Sequence, residues 1–173
     1  MTAGAEVEID EASVDDADAL SALAIRTYVA AFGHSFAPDE LTHYVDRKLS
    51  AVRWVEYLAR DRVLLARIAG RPVGYIQFGP EEAREGVDIR RLYIDAAHQG
   101  QGIGTSLLQA ALGSPELAAA PAVYIDTWDE NTGARRLYER FGFRHEGELK
   151  PFRLSTGEID GYDIILVRRR TEP

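Results

Sequence analysis

Gln99-Gly100-Gln101-Gly102-Ile103-Gly104 separates an apolar run, Leu92-Tyr93-Ile94, from a helix-forming stretch, Thr105 to Leu112. Glycines at a strand-to-helix turn let main-chain N–H groups approach phosphate oxygens, which the positive end of the helix dipole also attracts. Such a turn would cradle a pyrophosphate, although the spacing alone equally fits a tight turn with no ligand. A P-loop would need Gly-Lys followed by Ser or Thr, and a dinucleotide fingerprint would need a third glycine where Thr105 stands, so both are excluded.

Other side chains suited to chemistry are fewer. Tyr138 could protonate a leaving group, but beside Leu137 and Phe141 it reads on its own as a core tyrosine. Asn131 stands where a helix begins and suits a cap. Asp88 and Asp126 place carboxylates on strand-like runs. The absence of cysteine removes disulfides and a thiol nucleophile, and the four histidines lack metal-ligand spacing, so no metal is expected.

The elements that position these residues follow from pattern. Val7 to Ile9 reads as a strand, and Ser13 with Asp16 as a helix start. Leu20, Leu23, Ala24, Thr27 and Tyr28 recur at helical spacing to about Phe32, where Gly33 ends the helix. Pro38 opens a second helix and Ser50 caps a third carrying Trp54, Val55 and Leu58. Val63 to Ala69 and Val73 to Phe78 form a hairpin about Gly70-Arg71-Pro72. In Val87 to Ile94 the apolar parity changes between Ile89 and Leu92, which a β-bulge near Arg90-Arg91 would reconcile. Beyond the helix from Ile103 come a loop with Pro115 and Pro121, a strand from Val123 to Trp128, a helix from Thr132 to Phe141, and strands around Phe143 to Glu148 and Ile159 to Val167. The expected fold is α/β, with a mixed, mostly antiparallel central sheet, a bulged central strand and flanking helices, in a single domain over residues 1–173.

Gln99-x-x-Gly102-x-Gly104 followed by Asn131-x-x-Ala134-x-x-Leu137-Tyr138-x-x-x-Gly142-Phe143 resembles the acyl-CoA and acceptor-site motifs of the GNAT superfamily of N-acetyltransferases. The resemblance implies direct attack of a primary amine on the thioester of acetyl-CoA. It assigns the backbone of Leu92, Tyr93 and Ile94 to the pantetheine arm, the Ile94 amide polarising the thioester carbonyl. Gln99, Gly100, Gln101, Gly102, Ile103, Gly104 and Thr105 would bind the pyrophosphate, chiefly through main-chain N–H groups. Many relatives have arginine at the position of Gln99, so one charged partner is missing here. Asn131 would hydrogen-bond pantetheine while capping its helix, and Tyr138 would protonate the departing thiolate. Asp88 is the first choice of general base and Asp126 the second; His98 is a loop residue too far along the chain from the thioester.

Acceptor choice rests on weaker signals. Tyr28-x-x-x-Phe32, Phe36-x-Pro38-x-x-Leu41-x-x-Tyr44, Arg91-Leu92-Tyr93-Ile94, Trp128-x-x-Asn131 and Asp163-Ile164-Ile165-Leu166 look like bacterial spermidine/spermine acetyltransferases of the PaiA type. That likeness implies a polyamine or other small amine; acetylation of protein N-termini or lysines, and a non-catalytic acyl-CoA-binding regulatory module, are the alternatives. The aromatic residues equally describe core positions at helical spacing. A formal charge of −8 argues against nonspecific nucleic-acid binding and is compatible with attraction of cationic amines, although it equally serves solubility alone. No run approaches the roughly 20 apolar residues of a membrane span, and the acidic first thirty residues lack the basic start of a secretory signal. The cytoplasm is therefore expected, with a homodimer as the assembly suggested by the family.

Overall fold

The computed structural model describes residues 6–147, 149–153 and 157–170. Its elements are β1 (Val7–Glu11), α1 (Ala17–Phe32), α2 (Pro38–Lys48), α3 (Ala51–Arg60), β2 (Arg62–Ile68), β3 (Arg71–Pro80), β4 (Val87–Ile94), α4 (Ile103–Leu112), α5 (Pro115–Ala119), β5 (Ala122–Trp128), α6 (Thr132–Arg140), β6 (Arg144–His145), β7 (Lys150–Arg153) and β8 (Ile159–Arg169). Sheet strands flanked by helices make a mixed α/β fold, as the sequence pattern requires. The chain forms two compact units: residues up to Phe78 with Arg91–Gly113, and Gly79–Arg90 with Ser114 onward.

In the first unit β1 pairs antiparallel with β2, and β2 with β3. Successive strand residues face opposite sides. Tyr75 joins Trp54, Leu20, Leu23, Ala24 and Leu65 in the core beneath α1 and α3, whereas a Cβ at its neighbour Gly74 would meet Leu107 of α4 at 3.3 Å and Ile94 of β4 at 2.6 Å. Helices therefore cover both faces of this part of the sheet. The β2–β3 turn is Ala69-Gly70, both at positive φ, one residue earlier than the proline suggested. Pro72 is inside β3 beside a register shift between Ala66 and Arg67, a place where a strand tolerates a missing N–H.

In the second unit Val87, Asp88 and Ile89 pair in parallel with Val123, Tyr124 and Ile125. Strand β5 also pairs antiparallel with β8 from Ala122–Arg169 to Trp128–Asp163, and β6 and β7 both pair with β8. The irregularity expected at Arg90-Arg91 falls where β4 passes from one unit to the other. Two local expectations are corrected. Ser114 and Pro115 open the short helix α5 instead of lying in a loop, and the strand expected from Phe143 is only Arg144–His145, Glu148 lying outside the described residues.

A polar chain crosses the apolar interior of the first unit. Gln77, fully buried, donates through Nε2 to Asp61 Oδ2 at 2.6 Å and accepts from Arg91 Nη1 at 2.5 Å. The Arg91 guanidinium lies over the rings of Tyr57 and Trp54, at 4.8 and 5.7 Å from their centroids. Removing the amide takes one hydrogen bond from each charged group, leaving Asp61 with Arg60 and Arg91 with the two aromatic faces, and a buried hydrogen bond to a charged group contributes about 1.5–3 kcal/mol. Gln77→Leu is therefore expected to destabilise the fold by roughly 3 kcal/mol, read as a lower urea midpoint at unchanged slope. A midpoint within experimental error of wild type would contradict a structural role for this chain of bonds.

Candidate active site

The glycine turn read from the sequence lies at the start of α4. Gly102 is the N-cap, with φ of 81° and ψ of 0°, and Gly100 has φ of 75°; both are left-handed conformations that favour glycine. A Cβ built on either would meet no atom within 4 Å. Packing therefore does not explain these glycines, while backbone conformation and an open approach do. The Ser106 N–H donates to the Gly102 carbonyl at 3.0 Å. The N–H groups of Ile103 and Gly104, ahead of it, have no acceptor within the helix and lie at its positive end. Gly104 and Thr105 occupy the first turn of α4.

The two glutamines stabilise the turn. Gln99 Nε2 donates to the Ile94 carbonyl at 3.2 Å, and Gln101 Nε2 to the Ala97 carbonyl at 3.3 Å. With both side-chain amides engaged on local backbone, the donors this loop leaves toward an anion are main-chain N–H groups. His98 closes the short 3-10 turn Ala96–His98 just before the cradle. Leu92, Tyr93 and Ile94 are half-buried at the end of β4, where Tyr93 packs 5.9 Å from the Tyr75 ring and Asp95 N–H donates to the Val73 carbonyl at 2.8 Å. Asp95 is also held by Arg26 of α1 at 3.0 Å. In the same unit Tyr28, Phe32, Phe36 and Tyr44 form a half-buried aromatic cluster, with Tyr28 stacked on Tyr44 at 4.4 Å. Trp54, by contrast, is a core residue with no exposed surface.

In the second unit, register gathers the acidic candidates on one sheet face. Asp88 pairs with Tyr124, Asp126 lies two residues further along β5 opposite Ile165, and Asp163 lies two residues before Ile165. Burial pushes the Asp88 carboxyl up to about 6; Arg90 opposes this from 3.1 Å, whereas Asp126 and Glu81 reinforce it. Burial also raises Asp163, helped by the Asp126 charge. Asp126 is exposed and pairs with Lys150 at 3.1 Å. Glu81 is held down chiefly by the Ala83 N–H, with Arg84 adding to it, and the Arg84 guanidinium lies 4.0 Å from the Tyr124 ring centroid. The sequence reading assigned no role to Asp163 or Glu81; an acid inside the apolar run Asp163-Ile164-Ile165-Leu166 was the available signal.

Asn131 caps α6, its Oδ1 accepting from Ala134 N–H at 3.1 Å. Tyr138, about two turns further along α6, is buried with its ring 6.0 Å from Phe143. The structure thus places Leu92 to Thr105 in the first unit and Asp88, Asp126, Asn131 and Tyr138 in the second.

Residues 20–143 match the acetyltransferase (GNAT) family, and the chain belongs to it. It is 32% identical over 152 residues to an uncharacterized N-acetyltransferase of Mycobacterium tuberculosis, covering 87% of this chain and 96% of the relative. It is 36% identical over 87 residues, 46% of this chain and 57% of the relative, to a spermine/spermidine N(1)-acetyltransferase of Bacillus subtilis. The fold is also that of a PaiA N-acetyltransferase of Thermoplasma acidophilum solved in complex with coenzyme A, with a TM-score of 0.77, 17% identity, and coverage of 95% of this chain and 99% of that one. Among the described residues no group of histidines and carboxylates could hold a metal, and no helix is long and apolar enough to cross a membrane.

The raised Asp88 pKa has a measurable consequence for stability. Below about pH 4 Asp88 is protonated in folded and unfolded chains alike; between there and about 6 only the folded chain retains the proton. Its contribution is therefore full at low pH and is lost as pH rises through that window, by about 3 kcal/mol for a two-unit shift. Asp88→Asn should lose less stability than wild type between pH 4 and 7 in denaturant titrations. Parallel pH profiles for the two proteins would contradict the shifted carboxyl.

Proposed function

We propose that this protein transfers an acetyl group from acetyl-CoA to a primary amine of a small cationic acceptor, a polyamine in the first instance. Family membership and the main-chain cradle at α4 support the donor. The observation that carries the amine reading is Asp88, a carboxyl poised near neutral pH on a sheet face shared with Asp126 and Asp163.

An alkylammonium has a pKa of about 10.4 and no lone pair, so a base must take its proton before attack, directly or through water. A carboxylate with a pKa of about 6 is ionised at neutral pH yet is a better base than an ordinary aspartate. The nitrogen then forms a bond to the thioester carbonyl carbon. A donor at the oxyanion, assigned to the Ile94 amide, would lower the barrier by about 3 kcal/mol. Collapse breaks the C–S bond, and Tyr138 is the proposed proton donor to the departing thiolate. Asn131 and the cradle residues Gln99 to Thr105 hold the donor molecule in this scheme.

A polyamine carries further ammonium groups, for which Asp126 and Asp163 supply opposite charge; the aromatic faces of Tyr28, Phe32, Phe36 and Tyr44 suit cation–π contact. The protein works in this reading without a metal and without nucleic acid, in the cytoplasm, and as a homodimer.

Thiol release from acetyl-CoA across a panel of amines tests the proposal. Spermidine or spermine should turn over faster than monoamines, with a rate that rises toward alkaline pH and falls with added salt. Equal rates on mono- and polyamines would defeat the polyamine assignment. Turnover of peptides alone would favour the protein-acetylating alternative, and binding without turnover of any amine a regulatory module. Tyr138→Phe should keep acetyl-CoA affinity while turnover falls about a hundredfold; a loss under about threefold where chemistry is rate-limiting would remove Tyr138 from the acid role.

A further inference from the structure

A second anion-friendly feature shares no residue with the α4 cradle. A pocket of about 230 Å³ lies between α2 and α3, lined by Arg47, Lys48, Arg53, Glu56, Tyr57 and Arg60. Four cations thus converge with a single lining carboxylate in a chain whose formal charge is −8. Glu56 pairs with Arg53 at 2.5 Å, and the buried Asp61 behind the wall pairs with Arg60 at 3.2 Å. Arg47 contacts His43 Nε2 at 3.4 Å, and neither it nor Lys48 has a carboxylate at ion-pair distance among the described residues.

Local structure explains only part of this cluster. Arg47 and Lys48 occupy the last turn of α2, where the helix dipole favours cations. Arg53 lies in the first turn of α3, where the dipole disfavours them, and Arg60 comes from the other end of the same helix. The floor is rigid: the Tyr57 hydroxyl donates to the Lys48 carbonyl at 3.2 Å, and the Tyr57 ring lies 5.8 Å from the Arg60 guanidinium.

We propose that this α2–α3 pocket binds a small phosphate-bearing polyanion. Guanidinium forks match phosphate oxygens in pairs, and three forks with one ammonium suit a ligand presenting several such oxygens. The volume holds roughly seven waters, enough for a diphosphate group. The pocket walls are exposed, so attraction is screened by salt.

Titration with inorganic diphosphate, followed by calorimetry and by backbone amide NMR, tests the proposal. The protein is first saturated with CoA, so that the α4 cradle is blocked. Diphosphate should still bind, should move the amide signals of residues 47–60, and should weaken as salt is added. Arg47→Gln with Lys48→Gln should reduce its affinity tenfold or more while CoA affinity is unchanged. If that pair fails to fold, Arg53→Gln serves as the second variant. Competition with CoA, unchanged affinity in the folded variants, or binding of oligonucleotides without binding of diphosphate would each overturn the proposal. Should CoA itself fail to bind, the same titration without it, read against the variants, still decides whether the pocket is a site.

Discussion

Arg91 is a charge without a carboxylate at ion-pair distance among the described residues, and its attachment constrains the first unit. Its guanidinium is held by the Gln77 amide and by two aromatic faces, and Gln77 is in turn held by buried Asp61. Such a cation in a low-dielectric setting is tolerated only where neighbouring dipoles and rings are arranged to receive it. The arrangement ties β4 to β3 and to the chain following α3. The three residues after Arg91 then lead, through Asp95 and its two anchors, into the 3-10 turn and the left-handed glycines. Gly74 allows this close approach, because a Cβ there would collide with the Ile94 side chain and crowd the Tyr93 carbonyl. The position of the main-chain donors at α4 follows from that sequence of contacts.

The second unit solves a different problem, that of keeping carboxylates partly desolvated without neutralising them. Parallel pairing over Val87–Ile89 aligns Asp88 with Tyr124, and antiparallel pairing of β5 with β8 brings Asp126 and Asp163 onto the same face. The buried patch of Ala122, Tyr124, Ile165 and Val167 supplies the low-dielectric surroundings. Arg90 and Lys150 each pair with one carboxylate, so the face remains partly anionic. Burial, reinforced by repulsion from Asp126 and Glu81, raises the Asp88 pKa to about 6, so the carboxyl is ionised at neutral pH yet holds a proton more strongly than an ordinary aspartate.

Much of this was legible in the sequence where chemistry is local. Ser13 with Asp16, Gly33, Pro38 and Ser50 bounded α1 to α3, and the glycine pattern located the start of α4. The reading failed where two local signals compete. Pro72 suggests a turn but occupies an irregular strand position, and Pro115 suggests a loop although Ser114-Pro115-Glu116 also spells a helix start. Strand β7 was missed because Lys150-Pro151 lacks alternation, and a strand paired only with β8 tolerates proline. The Asp61–Gln77–Arg91 chain and the shared face of Asp88, Asp126 and Asp163 join residues far apart in sequence, and only register and packing bring them together.

The central claim is that acetyl-CoA is held by main-chain groups at the end of β4 and the start of α4. Amide hydrogen exchange, resolved residue by residue with and without saturating acetyl-CoA, tests it most directly. The account predicts slower exchange at the amides of Ile94, Gly102, Ile103 and Gly104 in the presence of acetyl-CoA, with little change at the ends of α2 and α3. Unchanged exchange at all four amides under saturating acetyl-CoA would contradict it.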